Sequence, residues 1–333
     1  MRFSLRFNND LPIAQYAALA QAAERAGFDQ FWVSNDLFLR SAPVILASIA
    51  QATQHIQIGS CIFNPYTIHP AELAMFAASM DELSGNRFNL GLAAGAGEFL
   101  KWVGIEQVKP LAMMRETIGA IRALLRGERV EFDGQHLRWT NEAYLHFTAL
   151  RVTPIYLGAM SVGMLKLAGE CCDGVLPLLF PPENFYIVRD MVFDTVAGAS
   201  PATTQFDLAA CIWVSLDEDR DAARRVLAQK IAYYGHALSP LIYERLGLSH
   251  DDFRPIEQAL MVERDEDKAV RMVLADERML RIGICGNADD IVERLAPLIV
   301  AGADHISFGP PLGPDPLKAI GLLGKRVIGR LRD

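Results

Sequence analysis

"GFDQFWVS" (27–34), "CCDGVLPLL" (171–179) and "GADHISFGP" (302–310) share one grammar. A helix-like run ends at a small residue, an acid follows, and the chain then enters a short apolar stretch. A helix handing over to a strand in this way, three times in one chain, is the mark of repeating βα units. Working outward, we count eight strand candidates: 2–7, 28–34, 55–63, 87–94, 154–159, 173–179, 208–216 and 305–310. Most are continuously apolar, as parallel strands covered on both faces are.

Helical patterns fill the intervals. Asn9 or Asp10 reads as the cap of the first, with Pro12 in its opening turn and Gly27 as its stop. Later ones stop at Gly85 and Gly127. Eight strands, each followed by a helix, predict a (β/α)8 TIM barrel; a doubly wound sheet does not need eight units. Two segments break the rhythm: 128–148, with an Asp133-Gly134 hairpin turn, and 236–281, helical and charged. Both read as insertions on one 1–333 domain, the second shaping the pocket.

The 333 residues are 51% hydrophobic with net charge −8, and no lysine/arginine run occurs. This argues against a nucleic-acid or membrane-surface partner and for a small-molecule substrate. No signal peptide or membrane-length apolar run is read. Cysteines 61, 171, 172, 211 and 285 follow no metal or disulfide spacing, so reduced thiols in a cytoplasmic protein are expected, and no metal.

In such barrels chemistry gathers at the C-terminal strand ends. Those ends carry Arg6, Asn35 and Asp36, Cys61 to His69, Gly95, Gly97 and Glu98, "GAMSVG" (158–163), and "GPPLGPD" (309–315). Each has a plain reading too. Asp36 could cap a helix, Cys61 could be a small buried hydrophobe, and the glycines could merely permit turns. No Ser-His-Asp set is visible in the sequence.

"NPYTIHPAELAMFAASMDELSGNRFNLGLAAGAGE" (64–98), "PIYLGAMSVGMLKLAGECCDGVL" (154–176) and "ISFGPPLGPDP" (306–316) together resemble the bacterial-luciferase-like superfamily. Within it they are most similar to the branch that uses the deazaflavin coenzyme F420 and includes the methylenetetrahydromethanopterin reductases. The resemblance implies an F420-dependent oxidoreductase acting on a small organic molecule. It implies a non-proline cis peptide bulge at the end of strand 3, by position Cys61–Ile62, on which the deazaflavin rests beside Asn35, Asn64, Gly95 and Gly97. It implies a cofactor phosphate site at Gly158, Ala159, Met160, Ser161, Val162 and Gly163, an acid at Glu98 near the reacting carbon, and a homodimer.

Two positions depart from that pattern. Arg6 stands where the reductases carry an acid, and Asn35-Asp36 where many relatives carry Asp-His. Arg6 could pair with Glu98 or Asp36, or bind a substrate anion. Asp36 could serve as the acid or base if burial raises its pKa. Glu98, Asp36 and Arg6 are therefore the catalytic candidates. The alternatives are an FMN-dependent monooxygenase on the same scaffold and a non-catalytic flavin- or deazaflavin-binding protein.

Overall fold

The structure is a computed structural model that describes residues 1–178, 181–196, 206–238 and 240–332. Nine parallel strands make up its main sheet: β1 (Arg2–Phe7), β2 (Gln30–Val33), β3 (Gln57–Ser60), β4 (Phe88–Leu92), β5 (Ile155–Leu157), β6 (Gly174–Val175), β7 (Asp207–Leu216), β8 (Ile284–Gly286) and β9 (His305–Leu312). Eight close a barrel in the order β1-β2-β3-β4-β5-β6-β7-β9, with β9 returning to β1. The register runs through Ser4 opposite Gln30 and Gln30 opposite Gln57. Each expected strand is present: the first has the expected bounds, the seventh and eighth are slightly longer and the rest are shorter, and Leu179, at the end of the sixth, lies outside the described residues.

β8 was not anticipated. Three residues are too short to show a period, and they add only to the upper half of β7, with Ile284 opposite Val214. The helices α1 (Ile13–Arg25), α2 (Ala42–Ala52), α3 (Pro70–Ser84), α4 (Gly97–Trp102), α5 (Pro110–Leu125), α6 (Val162–Cys171), α7 (Phe185–Val196) and α8 (Arg220–Tyr234) lie between the strands. Gly85 ends α3 at φ +64° and Gly127 follows α5 at φ +76°, left-handed conformations that glycine adopts without a Cβ penalty.

The start of α1 corrects the sequence reading. Pro12 precedes it without any side-chain cap. Asn9 is instead fully buried, and its amide bonds the backbone of Asp36 and Arg40 across the β2–α2 connection.

Two of the three acids of the repeated grammar share a side-chain task, and the third position does the same through its backbone. Asp29, just before β2, accepts the amide of Phe3 in β1 (2.7 Å). Asp173, just before β6, accepts the amide of Ile155 in β5 (2.7 Å). Asp304 does this for Arg2 through its backbone carbonyl (2.6 Å). Each supplies the leading N–H of the adjacent strand with a partner that the ladder cannot provide.

Inside the barrel, near the N-terminal strand ends, polar side chains from seven strands bond in sequence. His305 Nε2 meets Ser4 Oγ (2.8 Å), and its Nδ1 meets Asp207 (2.9 Å). Tyr156 donates to Asp207 (2.8 Å) and lies near the Gln30 amide (3.5 Å). Gln30 donates to Gln57 (3.0 Å), which also accepts from Asn89 (3.2 Å). Ser4–His305–Asp207 thus has the connectivity of a hydrolytic triad that the sequence did not reveal. All three are buried and none lines the main cavity, so the set works as packing. Above this belt Trp32, Tyr156, Leu176, Ala209 and Cys211 form an apolar layer. A Cβ on Gly59 would lie 2.3 Å from the Trp32 ring, and one on Gly174 2.4 Å from the Tyr156 ring, so both glycines make room for this layer.

The 128–148 segment contains a hairpin pairing Phe132–Asp133 with Arg138–Trp139. The 236–281 segment carries α9 (Pro240–Leu246), α10 (His250–Glu257), α11 (Glu266–Leu274) and α12 (Glu277–Leu280), which pack with α8 and Trp213 in an apolar cluster of their own. Among the described residues no helix is long and apolar enough to cross a membrane. α2 turns Ala42, Ile45, Leu46, Ile49 and Ala50 inward and leaves Val44 exposed.

Burial alone would push the Asp207 carboxyl up; His305, Arg2 and Tyr156 outweigh it and hold the group well below the usual carboxylate range. A depressed carboxylate contributes stability that is complete above its unfolded pKa and is lost as pH falls toward the folded one. Unfolding free energy should therefore hold level from neutral pH to about 4 and decline below it. Asp207→Ala should remove roughly 3–5 kcal/mol and flatten that acid limb, as measured by urea denaturation.

Candidate active site

A cavity of about 580 Å³ opens at the C-terminal strand ends. Arg6, Asn35, Asp36, Cys61, Ile62, Asn64, Gly95, Gly158, Ala159, Met160 and Ser161 all line it, so the structure gathers these sequence candidates in one place. Glu98, Gly97, Val162 and Gly163 do not. Glu98 sits exposed in the first turn of α4, and the Arg6 guanidinium is paired with neither Glu98 nor Asp36. Val162 and Gly163 belong to α6, whose cap Ser161 accepts the Met164 amide (3.3 Å). Among the described residues, neither insertion supplies a lining side chain. His69 is likewise outside; it caps α3 and stacks against Trp139.

One wall is the end of β3, where the Cys61–Ile62 peptide is cis, at the position the resemblance implied. Its flanks are fixed by main-chain bonds: Cys61 N–H to Val33 O (2.7 Å), Phe63 N–H to Gly91 O and Ala93 N–H to Phe63 O (both 2.9 Å). Ser60 Oγ bonds both the N–H and C=O of Gly91 (2.9 Å each), where a Cβ would lie 1.9 Å from the Ser60 carbonyl. The wall beside it is built of small residues. A Cβ on Gly158 would crowd the Ile62 methyl (3.0 Å) and Ala93 (3.2 Å), and one on Gly95 the Asn64 amide (3.3 Å). Ala93, Ala94 and Ala159 continue this low relief.

Asn64 turns its Oδ1 onto the backbone of Tyr66 and Thr67. Gln107 ties down the carbonyls of Ala94 and Gly95 (2.8 and 2.9 Å). The sequence reading missed Gln107 because it lies in an irregular loop without periodicity. It also missed Phe99, which lines the cavity and packs on the exposed Trp102 (4.7 Å between ring centroids).

The electrostatics separate the candidates. Asp36 is an exposed residue on the cavity rim whose carboxyl end is partly buried against the protein. That burial pushes its carboxyl up, opposed by the Ser34 hydroxyl (3.0 Å) and by Lys230. Asn9 steadies the segment by accepting the Asp36 amide (3.1 Å). Burial pushes the Cys61 thiol up to about 12, so it stays a neutral, weakly polar wall. Lys230 on α8 was overlooked as well. Burial draws it down to about 8, and it sits over the Tyr234 ring (3.8 Å) within electrostatic reach of Asp10, Asp36 and Arg6.

Residues 3–305 match the family described as luciferase-like monooxygenase. The 5,10-methylenetetrahydromethanopterin reductase of Archaeoglobus fulgidus is 34% identical over the full length of both chains. That of Methanolobus tindarius is 32% identical over 99% of this chain and all of its own. The structure of the coenzyme F420-dependent tetrahydromethanopterin reductase from Methanopyrus kandleri superposes with a TM-score of 0.91 at 28% identity, covering 99% of each chain.

A thiol held neutral should be chemically quiet. In the folded protein at pH 8, alkylation of Cys61 by iodoacetamide should run on the order of 10³-fold slower than in the urea-unfolded chain. Peptide mapping by mass spectrometry reads this directly, and comparable rates in the two states would remove the neutral-wall assignment.

Proposed function

We propose that this chain, which belongs to the luciferase-like monooxygenase family, is a coenzyme F420-dependent oxidoreductase that moves a hydride to or from a small organic substrate. The observation that carries the reading is the cavity itself: a wide space at the C-terminal strand ends, walled by Ala93, Ala94, Gly95, Gly158 and Ala159, with an elevated carboxyl on its rim. These low side chains leave a surface of small relief suited to a flat ring, and a side chain at Gly158 would crowd Ile62 and Ala93. The relatives with 32–34% identity across their whole length are reductases of one-carbon pterin substrates by name, which supports the same class.

The β3 end at Cys61 and Ile62 would hold the deazaflavin ring, with Asn64 and Gly95 beside it. The loop 158–161 would receive its phosphate-bearing side through backbone N–H groups before α6. When bound, the deazaflavin supplies or accepts the hydride.

The protein's own work is positioning and proton transfer. Asp36 is the proton donor in reduction and the acceptor in oxidation. Ser34 and Asn9 fix its segment, and desolvation raises its pKa above the usual carboxylate value, the direction that a proton donor needs. The apolar wall of Ile62, Phe99 and Leu176 keeps bulk water from the reacting atoms. Arg6 leaves no acid on β1, so Asp36 is the carboxyl that lines this cavity among the described residues. A homodimer in the cytoplasm fits the resemblance and remains part of this proposal.

Fluorescence titration of the purified protein should give tight F420 binding and much weaker FMN binding. The reverse order would reassign the chain to the flavin monooxygenases, and binding of neither would leave only the barrel. Asp36→Asn should keep F420 affinity and lower kcat by roughly 10²–10⁴. In the reducing direction the wild-type kcat should fall as pH rises through the elevated Asp36 pKa. That limb should vanish in the variant; if it persists, Asp36 is not the donor.

A further inference from the structure

Arg6 is 7% exposed, yet every hydrogen bond it makes goes to a neutral acceptor: Nε to Ser307 Oγ (3.1 Å) and Nη2 to the carbonyls of Ile212 (2.9 Å) and Ser307 (3.5 Å). The guanidinium otherwise meets the Cys61 sulfur, a weak acceptor that stays protonated. Among the described residues no carboxylate lies within 4.0 Å of it. Its place is built for it, since a Cβ on Gly309 would lie 2.4 Å from Nη2. A buried cation without a counter-charge is costly unless something else supplies the negative charge.

A second cation stands near. Lys230 is half-buried over Tyr234 and Trp213, has no ion-pair partner among the described residues, and interacts electrostatically with Arg6. The two like charges repel, and an anion held at Arg6 in the cavity lowers that repulsion at longer range as well. Asp36 and Asp10 are the acids within their field, and neither closes to an ion pair with Arg6 or Lys230.

We infer that Arg6, reinforced by Lys230, forms an anion subsite at the inner end of the cavity, and that the substrate carries a carboxylate which docks there. This rests on the reading that the cavity beside Asp36 is the hydride-transfer site. Arg6 lines the cavity together with Asp36 and Cys61, and an arginine without a carboxylate partner among the described residues is the side chain best suited to a planar carboxylate. A substrate anion at that point also favours the protonated form of Asp36, the form a donor needs.

The test is calorimetric titration of the cofactor-free protein with pyruvate and with its uncharged isostere pyruvamide, then with formate and benzoate. Pyruvate should bind at least about tenfold tighter than the amide. Arg6→Gln should abolish that preference, and Arg6→Lys should restore part of it. Lys230→Gln, with its fold checked by circular dichroism, should weaken pyruvate severalfold and leave pyruvamide unchanged. Equal affinity for acid and amide, or no binding of any of the three carboxylates at millimolar concentration, overturns the inference. So does displacement of pyruvate by inorganic phosphate at lower concentration, which would give Arg6 to a cofactor phosphate. A parallel F420 titration separates the two readings. Carboxylate binding without F420 binding keeps the subsite and discards the oxidoreductase; the converse keeps the oxidoreductase and discards the subsite.

Discussion

The belt of polar side chains at the N-terminal end of the barrel sets the terms for everything above it. Ser4, His305, Asp207, Tyr156, Gln30, Gln57 and Asn89 come from seven strands, and each satisfies the next. A buried network is stabilising only when no member is left unpaired. A shift of any one strand by a residue would turn its member out of the barrel and orphan two neighbours. The belt therefore fixes register around nearly the whole circumference. That register is what brings Arg6, Asn35, Cys61, Ala93 and Gly158 to one level at the opposite end.

Between belt and cavity lies a single apolar layer, and its packing explains why several strand glycines are needed. Trp32 is fully buried because Gly59 gives it room, and Tyr156 lies where Gly174 has no side chain. The tryptophan ties the layer to the belt through Nε1 to Gln30 (3.0 Å). Cys61 touches this layer from above, so the cavity floor rests on rigid packing rather than on mobile loops. A site held this way loses little entropy when a flat ligand settles on it.

The barrel was legible because parallel strands buried on both faces give unbroken apolar runs, and because the acids at Asp29, Asp173 and Asp304 mark each handover. The belt was not legible for the same reason. Ser4, Gln30, Gln57 and Asn89 read as isolated polar interruptions, and only closure shows that they face one another. At the site, residues fixed by a strand end were found, since strand ends converge by topology. Gln107, Phe99 and Lys230 were missed, since a loop and a distant helix bring them in without a sequence period. Glu98 was carried over by resemblance, and the orientation of α4 leaves it on the outside.

The Arg6 departure gains meaning from its neighbours rather than from its own position. An arginine replacing an acid beside a reaction centre would ordinarily be neutralised by a nearby carboxylate. Here the candidate partners are otherwise arranged: Asp36 is held by Ser34 and the Asn9-clamped segment, and the guanidinium is pinned to β7 and β9 by Ile212 and Ser307. Gly309 leaves the space that this pinned geometry requires. A side chain locked by three neutral bonds is preorganised, so its positive charge is available without further ordering. Under the proposed reading, proton transfer and charge recognition, which one acid on β1 could have combined, are divided between Asp36 and Arg6. The division predicts a substrate whose charge and reacting atom are separate groups, and it distinguishes this cavity from one shaped around a β1 carboxylate.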